Sequence, residues 1–177
     1  MVGLRTSLAL AALLAAARVS AAGGHQSLGC VGCHSMHKSQ GDLLAAVEPN
    51  LKMPERRTGK PHGPLTAFCL GCHADVSDGG KGILPVSGHM LHPFSVENPN
   101  PRVAKVPEQL LRNGRFECVS CHDPHPSNTN YRYLRVQASS SGEALSKVCS
   151  LCHVRKADPS YVPPKIFDSM DERAPRP

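Results

Sequence analysis

The chain has 177 residues with no Trp and only 4% aromatics, but 15 Gly and 16 Pro. So few large apolar side chains exclude a conventional core, and something other than side chains must fill the centre. The formal charge of +6 comes without any Lys/Arg cluster interleaved with aromatics, which argues against a nucleic-acid partner.

In chain order, residues 1–22 read as a secretory signal peptide. Arg5 supplies the positive start, Leu8 to Ala17 the apolar run, and Val19 to Ala22 the small-residue cleavage region. The run is about half of what spans a bilayer and Arg18 closes it, so no membrane span is expected after its removal. A first module is expected over 23–78. It carries His25, then Cys30-Val31-Gly32-Cys33-His34 with Met36 and His37 just behind. A helix is predicted over Gln40 to Glu48, starting at Asp42. His62 and Cys69-Leu70-Gly71-Cys72-His73 complete the module.

Residues 79–114 form a Gly/Pro-rich connector, opened by Asp78-Gly79-Gly80 and punctuated by Asn98-Pro99-Asn100-Pro101. It carries His89 and His92, the latter held in an extended backbone by Pro93. A short helix is predicted over Pro107 to Asn113, with proline in its first turn. The second module, 115–156, holds Cys118-Val119-Ser120-Cys121-His122, then His125, then a helix over Ser141 to Cys152 that delivers Cys149-Ser150-Leu151-Cys152-His153. Residues 157–177 are a Pro-rich tail, read as an extended arm. No alternating pattern of strands stands out. The fold class expected is mainly irregular, with short α-helices and little or no β.

All eight cysteines fall into four Cys-x-x-Cys-His runs, the attachment signature of c-type haem. Two thiols three residues apart add to the two vinyl groups along one porphyrin edge. The following histidine then lies beneath the ring as proximal ligand to the iron. Paired cysteines alone would also suit a zinc ribbon or disulfides. Four histidines placed by chance after the second cysteine have a probability on the order of 10⁻⁵ from composition. The covalent thioether residues are therefore Cys30, Cys33, Cys69, Cys72, Cys118, Cys121, Cys149 and Cys152. The proximal ligands are His34, His73, His122 and His153, and the cofactors expected are four haem c groups with their iron. Their propionates would turn the basic balance acidic, so the high isoelectric point carries no partner information.

Six histidines remain for sixth-ligand duty: His25, His37, His62, His89, His92 and His125. His37 and His125 lead, because each lies three residues after a proximal histidine. His92, His62 and His89 follow. His25 sits near the expected mature N-terminus, where fraying is common. Met36 is the one sulfur candidate, and would raise the potential of its iron. No histidine follows His153, so the fourth site must draw its sixth ligand from upstream.

The pattern repeats. Cys30 to His73 and Cys118 to His153 each run from Cys-Val-x-Cys-His-x-x-His through a polar loop, with Leu43-Leu44 in one and Tyr133-Leu134 in the other, to a second attachment run. These residues resemble the doubled CXXCH multihaem cytochromes, most closely over Cys118 to His125 and Cys149 to His153. The resemblance implies a multihaem cytochrome c fold wrapped around a chain of four haems. It further implies periplasmic or extracellular electron transfer with mostly bis-His, low-spin iron, redox proteins upstream and downstream as partners, and no catalytic residue. Some tetrahaem relatives assemble into extracellular filaments, so self-association belongs to the same expectation. The run Cys30 to Met36 also looks like the first site of the membrane-anchored NapC/NrfH-type tetrahaem quinol dehydrogenases; the short, Arg-terminated apolar run departs from that type.

Overall fold

The computed structural model describes residues 24–39, 43–89, 92–138, 142–153, 160 and 162–169. The expected signal peptide lies outside the described residues. What is described is mostly irregular chain, with three α-helices, several single turns of 3-10 helix and one two-stranded sheet. This is the fold class expected from composition.

Helix α1, Pro64–His73, starts with proline in its first turn, where the missing N–H costs nothing. Helix α2, Cys118–Cys121, is one turn long and closed at its start by a reciprocal box between Glu117 and Ser120. Helix α3 spans Gly142–Ser150. Strands β1, Val96–Glu97, and β2, Arg115–Phe116, pair antiparallel with Val96 opposite Phe116 and Glu97 opposite Arg115. The predicted α3 is present. Of the one over Gln40 to Glu48, residues 40–42 lie outside the described residues, and residues 43–48 hold turn, bridge and bend, not helix. Leu44 takes a left-handed φ of 49°, and Ala45 bridges His34, so long-range pairing overrides local helix propensity. The predicted helix over Pro107 to Asn113 shrinks to a 3-10 turn, Glu108–Leu110, with Pro107 as its cap. The left-handed Asn113 and Gly114 turn the chain into β2 instead.

The described apolar interior is small: Ala45, Ala67, Leu70, Ala74, Leu110, Phe116, Tyr133, Leu134 and Val136. Buried polar groups are as prominent. Asn128, fully buried, donates from Nδ2 to the carbonyls of Asp123 and Tyr133, both at 2.9 Å. Asn50 works the same way in the first half, donating to the Asp78 carbonyl at 3.0 Å and accepting from Lys52 and Met53. The buried Glu117 carboxylate accepts from the Thr66 N–H at 2.7 Å, joining the start of α2 to α1. Polar groups so far from water stay only because they are paired.

The tail has no regular structure over 162–168, as its prolines suggest, but it is not a free arm. The Phe167 N–H donates to the Arg135 carbonyl at 2.6 Å, and the Phe167 carbonyl accepts from Arg135 Nη1 at 2.9 Å. Ser169 N–H and Oγ reach Asp123 at 2.8 and 3.0 Å, and Asp168 pairs with Arg112 at 3.2 Å.

Candidate functional site

The first and third Cys-x-x-Cys-His runs share one backbone plan. After His34 the chain loops and returns, so that Ser35 donates to the Leu44 carbonyl at 2.7 Å and Ala46 to the Cys33 carbonyl at 2.9 Å. After His122, Asp123 donates to the Tyr133 carbonyl and Arg135 to the Cys121 carbonyl, both at 2.8 Å. Leu44 and Tyr133, at matching places, both have left-handed φ, 49° and 56°. The internal repeat read from the sequence is thus also a repeat of hydrogen bonds.

The return loops orient the motif histidines. Nδ1 of His34 lies 3.2 Å from the Leu43 carbonyl, Nδ1 of His73 2.7 Å from that of Ile83, and Nδ1 of His122 2.9 Å from that of Arg132. A carbonyl that takes the Nδ1 proton fixes the tautomer and leaves Nε2 as the metal-binding nitrogen. The fourth site is built differently: the Cys152 carbonyl accepts from Lys105 N–H at 2.8 Å, so the connector closes over the end of α3. The sequence held no signal for these carbonyls, because any residue type supplies one.

None of the eight cysteines is in a disulfide. The second run is joined to the third: Thr66 N–H donates to the Glu117 carboxylate at 2.7 Å, and Cys118 N–H donates to Thr66 Oγ1 at 3.4 Å. Burial, with Cys152, Cys118 and Cys149 adding, pushes the Cys121 thiol up to about 12. No group of three or more His, Cys, Asp or Glu placed to hold a bare metal ion occurs among the described residues.

The spare histidines are placed very differently from one another. His37 and Met36 are exposed, Met36 at 81%. The side chain of His89 lies outside the described residues. His125 is held by Asp123: its Nδ1 lies 2.7 Å from Asp123 Oδ1 and 2.8 Å from Ser169 Oγ. The hydrogen bond to Asp123 raises the His125 pKa against the effect of burial. Burial alone would raise Asp123; donors from His125 and Ser169 and the Arg135 charge hold it well below the carboxylate range. His62 is buried, stacks on Phe94 at 5.3 Å, and has no partner at either ring nitrogen. Burial lowers its pKa, with Glu55 opposing, which favours the neutral imidazole a metal requires. His62 and His92 line one cavity of about 120 Å³, with Phe94, Met53 and Glu55 in its wall. The His92 ring sits 6.4 Å from that of His153 and edge-on to it, at 79°; its Nδ1 lies 3.0 Å from the Pro93 carbonyl.

These residues fit a haem. Thiol pairs at the vinyl spacing precede histidines oriented through Nδ1. His62 is an orphaned buried imidazole. Apolar side chains at the surface border the motifs: Val31 at 82% exposure, Leu84 at 81%, with Leu28, Leu44 and Ile83 half-exposed. They suit the flat apolar faces of a porphyrin.

No helix among the described residues is long and apolar enough to cross a membrane. No curated protein and no solved structure matches the chain. The family model of the doubled CXXCH motif matches residues 110–158, the segment that holds the third and fourth runs. Over that segment the chain is similar to multihaem c-type cytochromes, and its CXXCH runs are sites of covalent haem c attachment.

Proposed function

We propose that the chain is an exported tetrahaem c-type cytochrome that relays electrons in the periplasm or outside the cell, with mostly bis-His, low-spin iron. The observation that carries this reading is that all eight cysteines fall into four Cys-x-x-Cys-His runs, two of them within residues 110–158 that the doubled CXXCH model matches, with the second and third joined through the Thr66–Glu117 hydrogen bond.

A covalently held haem supplies a one-electron iron couple whose potential follows its axial ligands, burial and hydrogen bonding. The chain's residues do the rest. The thiols anchor one porphyrin edge at each run. His34, His73, His122 and His153 bind iron from one side, and the carbonyls of Leu43, Ile83 and Arg132 orient the first three. For the other side, His92 serves the iron of His153. His37, His62, His89 and His125 remain the candidates for the first and third sites. In His125, Asp123 and Ser169 occupy Nδ1 and leave Nε2 for metal. Occupied axial positions leave no open iron for substrate, so the reading is a carrier rather than an enzyme, with redox proteins as its partners.

Pyridine haemochrome analysis of the purified holoprotein should give four haems c per chain, and fewer would overturn the reading. N-terminal sequencing of the mature protein should start near Gly23. A retained apolar segment would instead favour the membrane-anchored quinol dehydrogenase type.

A further inference from the structure

His25 belongs to no motif, yet it is among the most closely placed histidines in the molecule. The 3-10 turn Gly24–Ser27 that carries it is docked on the far half of the chain, where Gln26 N–H donates to Tyr133 Oη at 3.0 Å. The His25 ring stacks on the Tyr133 ring, 5.1 Å away at 15°. The His73 ring lies 5.7 Å from it, tilted at 56°. His25 Nδ1 is buried with no hydrogen-bond partner. A metal bound by two imidazoles, each through a nitrogen about 2 Å away, places the ring centres about 6 Å apart. The His25–His73 spacing matches this closely, and the His92–His153 spacing of 6.4 Å is of the same size.

Tyr133 is built to hold a neighbour in place. It is 5% exposed, follows Arg132 in a pair of left-handed residues, and its carbonyl is tied to Asp123 and Asn128. Two adjacent non-glycine residues in that region persist only where the surroundings over-determine them. The platform is therefore rigid, and the ring stacked on it is His25.

We propose that His25 is the sixth ligand, within the same chain, of the iron carried by the Cys69–His73 run, and that Tyr133 is its positioning residue. The proposal rests on the haem reading above. It means that a residue of the second repeat presents the ligand for a site in the first, so the two halves share control of one centre's potential.

The test uses the holoprotein. In His25→Ala, haem content should stay at four per chain while one ferric haem per chain turns from low-spin to high-spin by electron paramagnetic resonance. Added imidazole should restore the low-spin signal. His25→Met should keep that centre six-coordinate with a raised potential, which covers the case that the alanine variant does not mature. Tyr133→Leu should shift the midpoint of one centre and leave the other three. Four low-spin haems in His25→Ala would overturn the His25 assignment while leaving the tetrahaem reading intact; fewer than four haems in the unaltered protein would sink that reading instead. A wild-type protein that gains a high-spin haem on dilution to monomer would show ligation between copies and overturn the same-chain claim.

Discussion

The imidazoles of His92 and His153 face each other edge to face, with ring centres 6.4 Å apart and planes 79° apart, although 60 positions separate them in the chain. The connector reaches the fourth site because Lys105 N–H is hydrogen-bonded to the Cys152 carbonyl, and Phe116 packs 5.7 Å from the His92 ring. This places an upstream histidine beside the fourth motif histidine, where no histidine follows His153. His92→Ala should therefore leave haem content unchanged and convert one low-spin centre to high-spin. It should also raise one midpoint potential by on the order of 0.1 V. A redox titration with four unshifted midpoints would refute the pairing.

Gly71 lies inside the second attachment run because α1 runs against the loop at residues 47–48. A Cβ added there would sit 2.5 Å from the Glu48 carbonyl oxygen and 3.0 Å from a Val47 methyl. The backbone oxygen cannot swing aside as a side chain would. Gly71→Ala should destabilise the holoprotein by about 1–3 kcal/mol, read as a lower midpoint in chemical denaturation. The analogous change at Gly24, where nothing lies within 4 Å, should leave the midpoint in place.

Asp123 fastens the tail. It is 1% exposed and gathers His125, Ser169 and Arg135 on one carboxylate. An amide at this position offers a single acceptor oxygen and loses the charge. Asp123→Asn should cost about 2–4 kcal/mol and open residues 162–169 to hydrogen exchange. Ser169→Ala, which removes only one hydroxyl, should do the same to a smaller degree. Unchanged protection of the tail in Asp123→Asn would contradict its role as the fastening point.

Glu55 closes the turn that leads to His62. Burial opposes its charge, but the Thr58 side chain, the Arg57 and Thr58 N–H groups and the Arg57 charge together lower its pKa. A depressed carboxylate contributes stability that is fully present above the ordinary value of about 4.3 and is lost as pH falls through the lower folded value. Glu55→Gln should thus be less stable than the parent at neutral pH, by about 1–2 kcal/mol. The gap should close as the pH falls below that ordinary value. A gap that stays constant through acid pH would assign the effect to packing.

Much of the chemistry was legible from residues alone. The spacing Cys-x-x-Cys-His is dictated by the distance between two vinyl groups and one iron, so it survives in the sequence whatever the fold. The repeat was legible for the same reason, since Cys-Val-x-Cys-His-x-x-His recurs at Cys30 and Cys118; only the structure shows that Leu44 and Tyr133 take matching left-handed backbone. The irregular fold class followed from composition, as glycine, proline and scarce aromatics cannot build long elements or a large core.

What the sequence by itself determined was the four CXXCH runs that mark haem attachment, each with its following histidine. Only the tertiary structure decided which spare histidine stands near which site. Offset along the chain ranked His37 and His125 first; the structure leaves His37 exposed and ties His125 Nδ1 to Asp123 and Ser169. His25 and His92 instead lie within about 6 Å of His73 and His153. The physical reason is that the second axial ligand is set by distance through space. Return loops, a docked N-terminal turn and the bond from Lys105 to Cys152 create that distance, and backbone hydrogen bonds of this kind leave no mark on residue identity.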